Sequence, residues 1–290
     1  MKKYNLKAPA KINLTLEVLK KLANGYHELR SAMMKLDRLY DEIELEIGDD
    51  MKEIKIETDS SEIPVDEKNT CYKAAKIFFK NAGKKAGVKI FIKKNIPVGA
   101  GLGGGSSDAA TVLRTLNSHF GNPLSKEKLI KLGAQVGKDV PFFVQPYQFA
   151  KVSGMGEKLE SVKVELKVNV LLVNPRVAVS TKWAFEKFST ILVRGNKKIN
   201  NLSEMMANYV ASGNFFDICG SLYNDFEREI EKHFPVLTEI KDILKKHGAK
   251  GVLMSGSGST VFALFSSKEE LVTAKENISK SNKDFFIAAG

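Results

Sequence analysis

The sequence predicts an α+β fold in two domains. Alternating apolar and polar residues, the mark of half-buried strands, dominate the first sixty positions. Helical spacing with capping residues dominates several later segments. The two kinds of segment mix without a regular strand–helix–strand rhythm, which argues against a doubly wound parallel sheet. The chain has 290 residues. That suits two domains of ordinary size, expected at 1–155 and 156–290.

Ile12, Leu14, Leu16 and Val18 fall on one face of a first strand. Asn24-Gly25 then supplies a tight turn. Met33–Leu36 and Tyr40–Ile47 read as two further strands, with Ile43, Leu45 and Ile47 on one side of the second. Glu53–Glu57 repeats the alternation through Ile54 and Ile56. Asn69 and Thr70 are cap residues for a helix from about Cys71 to Gly83. Val88–Lys94 is a strand. After a glycine loop a helix runs from Ser106 to about Leu116, and Ser125 opens another to about Val136. In the second half, strands are expected near Phe149–Val152 and Val164–Val173. Helices follow around Thr181–Phe188, Ser203–Val210, Leu222–Lys232 and Pro235–His247, the last closed by Gly248. Gly251–Met254 and Val261–Phe265 are strands around a Ser-Gly-Ser-Gly-Ser loop. A helix over Lys268–Lys280 and a strand over Asp284–Ala288 end the chain.

Apolar residues make up 43% and charged ones 27%, so the chain can bury a core and is not of disordered composition. No apolar run approaches the roughly 18 residues that span a membrane. The start, Met-Lys-Lys-Tyr-Asn-Leu-Lys, lacks the apolar stretch of a signal peptide. Cys71 and Cys219 match no zinc or redox spacing and read as reduced structural thiols of a cytoplasmic protein. The net charge of +11 is spread over both halves without a run of five or six basic residues. No nucleic-acid tail is present, and the field favours capture of small anions.

The most informative segment is Pro97-Val-Gly-Ala-Gly-Leu-Gly-Gly-Gly-Ser-Ser107, with five glycines between Gly99 and Gly105. It follows a strand and runs straight into a helix. Glycine lets the backbone take positive φ and approach a ligand closely. The unpaired amides and dipole of the helix start favour an anion. The hydroxyls of Ser106 and Ser107 add donors or a magnesium ligand. The chemistry suited to this arrangement is binding of a phosphate chain. A hinge needs fewer glycines, and a P-loop needs the Gly-Lys-Ser/Thr that is missing here. Gly99-x-Gly101-x-x-Gly104 fits a dinucleotide fingerprint literally. However, Pro97 breaks the strand-to-turn junction, and no acid ends a second strand about 20 residues on.

The same segment resembles the phosphate-binding motif of the GHMP kinases. Its additional glycines resemble the 4-diphosphocytidyl-2-C-methyl-D-erythritol kinase branch of that superfamily, which serves the non-mevalonate isoprenoid pathway. Four more segments resemble motifs of this branch in the same order: Ala8-Pro-Ala-Lys-Ile-Asn-Leu14 its first motif; Asn24-Gly-Tyr-His-Glu-Leu29 its substrate loop; Val136-Gly-Lys-Asp-Val-Pro-Phe-Phe143 its catalytic segment; and Lys250-Gly-Val-Leu-Met-Ser-Gly-Ser-Gly-Ser-Thr-Val-Phe262 its third glycine-rich motif. The resemblance implies the two-domain GHMP architecture with the active site in the interdomain cleft.

On residue chemistry alone, Asp139 reads as a helix cap or as the group that takes an acceptor's proton. Lys11 reads as a solvated strand end or a charge stabiliser. By resemblance Asp139 and Lys11 are catalytic. Pro97, Val98, Gly99, Ala100, Gly101, Leu102, Gly103, Gly104, Gly105, Ser106 and Ser107 hold ATP. Asn13 lies beside the substrate, Tyr26 stacks on cytosine, His27 binds its polar edge, and Phe185 adds a second aromatic. Tyr26 and His27 otherwise read as surface residues, and Phe185 as a helix core position. Asp108 reads as a helix-dipole partner. The Ser255–Thr260 loop reads as a hairpin or a supporting loop. No magnesium ligands are legible.

The implied reaction is ATP-dependent phosphorylation of the 2-hydroxyl of a cytidylylated small alcohol, with Mg2+ neutralising phosphate charge. Two other readings account for less of the sequence. A homoserine- or mevalonate-type kinase leaves Gly25-Tyr-His-Glu28 unexplained. A basic RNA-binding protein lacks its stripe of cations and aromatics.

Overall fold

In the computed structural model, residues 1–23, 25–48, 51–164, 167–192 and 201–290 are described. The chain forms two compact units. Unit 1 comprises Met1–Ala10, Leu39–Val98 and Gly103–Tyr147; unit 2 comprises Lys11–Arg38, Gly99–Leu102 and Gln148–Gly290. Two of the divisions fall inside long strands, β1 (Lys2–Lys21) and β2 (His27–Gly48). The two segments Met33–Leu36 and Tyr40–Ile47 thus belong to one strand. The turn residue Asn24 lies outside the described residues; Gly25 has φ 83°, and its amide bonds to the Leu22 carbonyl at 3.0 Å.

In unit 1, β3 (Ile54–Thr58) runs parallel to β4 (Gly87–Lys93), which pairs antiparallel with β2 from Glu42↔Lys93 to Gly48↔Gly87. Ile43, Leu45 and Ile47 are buried with Val88, Ile90 and Ile92, as the two-residue period requires. Four helices follow: α1 (Thr70–Ala82), α2 (Gly104–His119), α3 (Lys126–Val136) and the short α4 (Val140–Val144). Asn69 caps α1 by accepting from the Cys71 amide, and Gly83 closes it in the left-handed region. Ser125 caps α3. Ala109, Ala110, Val112, Leu113 and Leu116 make the buried side of α2. The run Val140–Val144 is a turn of helix around Pro141, a residue tolerated in a first turn.

Unit 2 contains β5 (Phe149–Gly154), which pairs antiparallel with β2 and with β6 (Lys158–Ser161). A four-stranded antiparallel sheet has the order β11 (Phe286–Ala289), β7 (Asn169–Asn174), β10 (Val261–Phe265), β9 (Gly251–Met254). Of the expected strand Val164–Val173, only the part from Asn169 is strand; positions 165 and 166 lie outside the described residues. The helices are α5 (Thr181–Leu192), α6 (Leu202–Ala211), α7 (Phe215–Gly220), α8 (Glu227–His233), α9 (Val236–Lys246) and α10 (Lys268–Ser281).

The expected helix Leu222–Lys232 starts later, because Tyr223–Asn224 forms β8, parallel to β1 with Leu16↔Asn224 in register. The core of this unit collects Leu171, Val173, Val261, Ala263 and Phe265 from the sheet. Leu237, Ile240 and Leu244 come from one face of α9, and Leu271, Ala274 and Ile278 from α10. Among the described residues no helix is long and apolar enough to cross a membrane. Both cysteines are free thiols.

Candidate active site

The glycine segment is divided between the units. Pro97, Val98 and Gly103–Ser107 belong to unit 1, and Gly99–Leu102 to unit 2. Gly99, Gly101 and Gly103 have φ of 65°, 78° and 73°, the region where a side chain costs energy. Gly103 ends the loop as the left-handed cap of α2. Its carbonyl takes the Ser106 and Ser107 amides at 3.1 and 2.9 Å. The Gly104 and Gly105 amides come before that first bond and have no intrahelical acceptor, the arrangement at a helix start that favours an anion.

In unit 2 the loop is tied to Lys11 and to Ser255–Thr260. The Lys11 amide donates to the Leu102 carbonyl at 2.9 Å, and the Thr260 amide to the Ala100 carbonyl at 3.3 Å. The Gly101 carbonyl accepts from Lys11 Nζ and from Ser255 Oγ, each at 3.0 Å. A Cβ on Gly101 would lie 2.0 Å from the Ser255 carbonyl oxygen, so only glycine permits this approach. Lys11 Nζ also donates to Asn13 Oδ1 at 2.6 Å. Asn13 Nδ2 donates to Ser31 Oγ at 2.8 Å, and Ser31 Oγ to the Thr15 carbonyl at 2.6 Å. Lys11 and Asn13 are both buried, so Lys11 is not a solvated strand end.

Two asparagines hold Ser255–Thr260 itself. Asn224 Nδ2 donates to the Met254 and Gly256 carbonyls, each at 2.8 Å. Asn174 Nδ2 donates to Ser259 Oγ at 3.2 Å and Thr260 Oγ1 at 2.9 Å. Neither asparagine, nor Ser31, stands out in the sequence. The asparagines' only signal is a polar residue at a strand end; Ser31, inside β2, gives none.

His27 opens β2 and stacks on Phe185 of α5, with ring centroids 5.0 Å apart at 25°. Phe185 in turn meets Phe226 edge-on at 4.8 Å. Burial and the Lys21 charge lower the His27 pKa below the ordinary 6.5, so the ring is held neutral at pH 7. Tyr26, next in the chain, is 53% exposed. Its carbonyl accepts the Leu22 amide at 2.7 Å, which closes the turn. Phe185 is thus half in the core and half a wall for His27, rather than a plain core position.

In unit 1, Asp139 precedes α4 with helical backbone angles and makes no side-chain cap bond to it. The loop packs against the start of α2: a Cβ on Gly137 would lie 3.2 Å from Ser106 Oγ.

Beneath Gly104 lies a cluster that the sequence reading missed. Lys94 Nζ donates to Asp41 Oδ2, and to Asp108 Oδ2 at 3.1 Å. Asp41 Oδ1 accepts the Asn95 and Ile96 amides at 2.7 and 2.8 Å. A Cβ on Gly104 would meet Asp41 Oδ2 and Lys94 Nζ at 3.2 Å. Asp108 is therefore a buried acid that accepts from the Lys94 ammonium, not a helix-dipole partner. Burial, the largest influence, pushes its pKa up to about 8 despite Lys94.

Among the described residues no three His, Cys, Asp or Glu side chains gather as a metal cage. A magnesium ion carried on nucleotide phosphates takes only one or two carboxylates from a protein. The Ser106 hydroxyl and the Asp139 carboxylate are oxygen donors of that kind, and Ser106 Oγ lies against Gly137, two residues before Asp139.

Comparison with known proteins agrees with this architecture. The family model for the GHMP kinases N terminal domain matches residues 69–146, and that for GHMP kinases C terminal matches residues 199–284. A 4-diphosphocytidyl-2-C-methyl-D-erythritol kinase from Caldicellulosiruptor saccharolyticus is 42% identical over 283 residues, 97% of this chain and 95% of the relative. One from Geobacter sp. strain M21 is 41% identical over 289 residues, covering 100% and 99%. A crystal structure of 4-(cytidine 5'-diphospho)-2C-methyl-D-erythritol kinase superposes with a TM-score of 0.78 at 30% identity, covering 99% of this chain and 98% of that one. Homoserine kinase from Cytophaga hutchinsonii shares the fold, with a TM-score of 0.76 at 20% identity, covering 100% and 95%. The chain therefore belongs to the GHMP kinases and, within them, to the family of 4-diphosphocytidyl-2-C-methyl-D-erythritol kinases.

Proposed function

We propose that the chain transfers the γ-phosphoryl group of ATP to the 2-hydroxyl of 4-diphosphocytidyl-2-C-methyl-D-erythritol, giving the 2-phosphate and ADP. It is an ATP-dependent kinase of the isoprenoid-pathway family. The observation that carries the cytidylyl group is the stacked pair His27–Phe185 next to exposed Tyr26. A pyrimidine needs flat faces and hydrogen-bonding groups at its edge, and a neutral imidazole beside two aromatic rings supplies both.

The transition state of phosphoryl transfer is loose, so positioning and charge neutralisation supply most of the catalysis. Pro97–Ser107 holds the phosphate chain through the amides at the start of α2. Asp139 accepts or orients the acceptor's hydroxyl proton. Lys11 stabilises negative charge that develops on the transferring group. Asn13, which fixes the Lys11 ammonium, lies beside the alcohol. When bound with ATP, Mg2+ supplies neutralisation of phosphate charge; Ser106 and Asp139 would hold it. The N-terminal family domain ends near residue 155 and the C-terminal one takes 156–290, a division that the two family matches straddle. Free thiols and the lack of a membrane-crossing helix among the described residues support a cytoplasmic place.

The test is ADP release with Mg-ATP and four acceptors: the cytidylylated alcohol, the same alcohol without its cytidylyl group, homoserine and mevalonate. Turnover with the first alone is expected. Turnover with another acceptor would keep the kinase and overturn the substrate.

A further inference from the structure

We propose that Asn224 is a positioning residue for phosphoryl transfer, acting on Lys11 through the Ser255–Thr260 loop. This rests on Lys11 stabilising the transferring group. Asn224 is buried, and both ends of its amide are engaged. Nδ2 bridges the Met254 and Gly256 carbonyls at 2.8 Å each, and Oδ1 accepts the Phe226 amide at 3.0 Å. Its backbone belongs to β8, in parallel register with Leu16 of β1. The next residue repeats the attachment: the Asp225 amide donates to the Leu16 carbonyl at 3.0 Å, and Asp225 Oδ2 accepts the Val18 amide at 2.6 Å. One side of Asn224 is thus stitched to the strand that carries Lys11 and Asn13.

The other side reaches the same ammonium through the loop. A Cβ on Gly256 would lie 3.4 Å from Lys11 Nζ and 3.0 Å from the Gly101 carbonyl oxygen. Ser255 Oγ donates to that carbonyl at 3.0 Å. Asn224 therefore closes a frame that runs from β1 through β8 to Gly256, Gly101 and back to Lys11. The geometry demands an amide. Two carbonyls need two N–H donors while the opposite atom accepts an amide, and a carboxylate would set an oxygen against both carbonyls.

The experiment is steady-state kinetics of Asn224→Asp and Asn224→Ala beside Lys11→Met, with circular dichroism to count folded enzyme. For a slight displacement of a catalytic group, kcat is expected to fall about 10- to 100-fold. KM for ATP and for the cytidylylated alcohol should stay within about threefold, since the contact acts in the transition state. Asn224→Asp in the Lys11→Met background should cost nothing further, because both changes remove one interaction. Asn224 variants with normal kcat beside an impaired Lys11→Met would overturn the proposal alone. So would losses that multiply, or failure of both variants to fold. Lys11→Met with normal kcat would overturn the reading of Lys11 and the proposal with it.

Discussion

Lys11 Nζ and the carbonyl oxygen of Gly101 lie 3.0 Å apart, ninety residues distant in the chain. The contact joins the first motif of the sequence to its glycine loop. The same carbonyl takes Ser255 Oγ from the last motif. Gly101 thus holds the lysine by its oxygen and admits the Ser255 backbone by its missing side chain.

The Gly101 position is accordingly the least tolerant in the loop. Gly101→Ala places a methyl 2.0 Å from a backbone oxygen at φ 78°, whereas Gly99→Ala meets nothing within 4 Å at φ 65°. Gly99→Ala should cost about 1–2 kcal/mol of backbone strain alone. Gly101→Ala should cost more than that and raise KM for ATP. Thermal unfolding and ATP titration of the two variants check the ranking; equal effects would remove the close approach as the cause.

Asp139→Asn should lower kcat at least ~100-fold with folding intact, the lower range for a positioned acid–base group. Circular dichroism of the variant checks that it is folded. Near-normal turnover of the folded variant would take Asp139 out of the mechanism.

His27→Ala, Tyr26→Ala and Phe185→Ala should mainly raise KM for the cytidylylated alcohol. The His27 pKa is lowered by burial and by Lys21, so the ring gains its proton only below the ordinary 6.5. KM should therefore be flat above neutral pH and change only on the acid side of the usual histidine range. A change in ATP affinity alone would contradict the assignment.

The buried Asp41–Lys94–Asp108 cluster predicts a stability signature. Lys94→Met leaves two buried carboxyl groups without their cation and should cost about 3–5 kcal/mol. Folded Asp108 keeps its proton to about pH 8 against 3.8 for an ordinary aspartate. Folding therefore takes up a proton between these values. The contribution is complete below pH 3.8 and is lost as pH rises toward 8, at up to about 1.4 kcal/mol per pH unit. Asp108→Asn should remove this slope. Urea unfolding of both proteins at several pH values measures it, and parallel curves would refute the shift.

Elements whose signal is local were legible in advance. Asn69 and Gly83 bound α1, Ser125 opens α3, and Gly248 follows α9 with φ 92°. Caps and periodicity act within a few residues, so the chain carries them on its face. The strand Tyr223–Asn224 was not legible, because two residues pair only through the distant strand β1. The burial of Asp108 was not legible for the same reason: its helix position is local, whereas Asp41 comes from β2 and Lys94 from the residue after β4.

The sequence by itself determined the α+β class, the helix caps, the phosphate-binding character of Pro97–Ser107 and the four ordered motifs that point to the family. These depend on residue type and spacing. Only the tertiary structure decided that Gly101 must be glycine, that Lys11 is buried between Asn13 and Gly101, and that Asn224 bridges Met254 and Gly256. It alone decided that Asp108 is a buried acid. Those properties come from desolvation and from hydrogen bonds between segments far apart in the chain, and no local pattern encodes either.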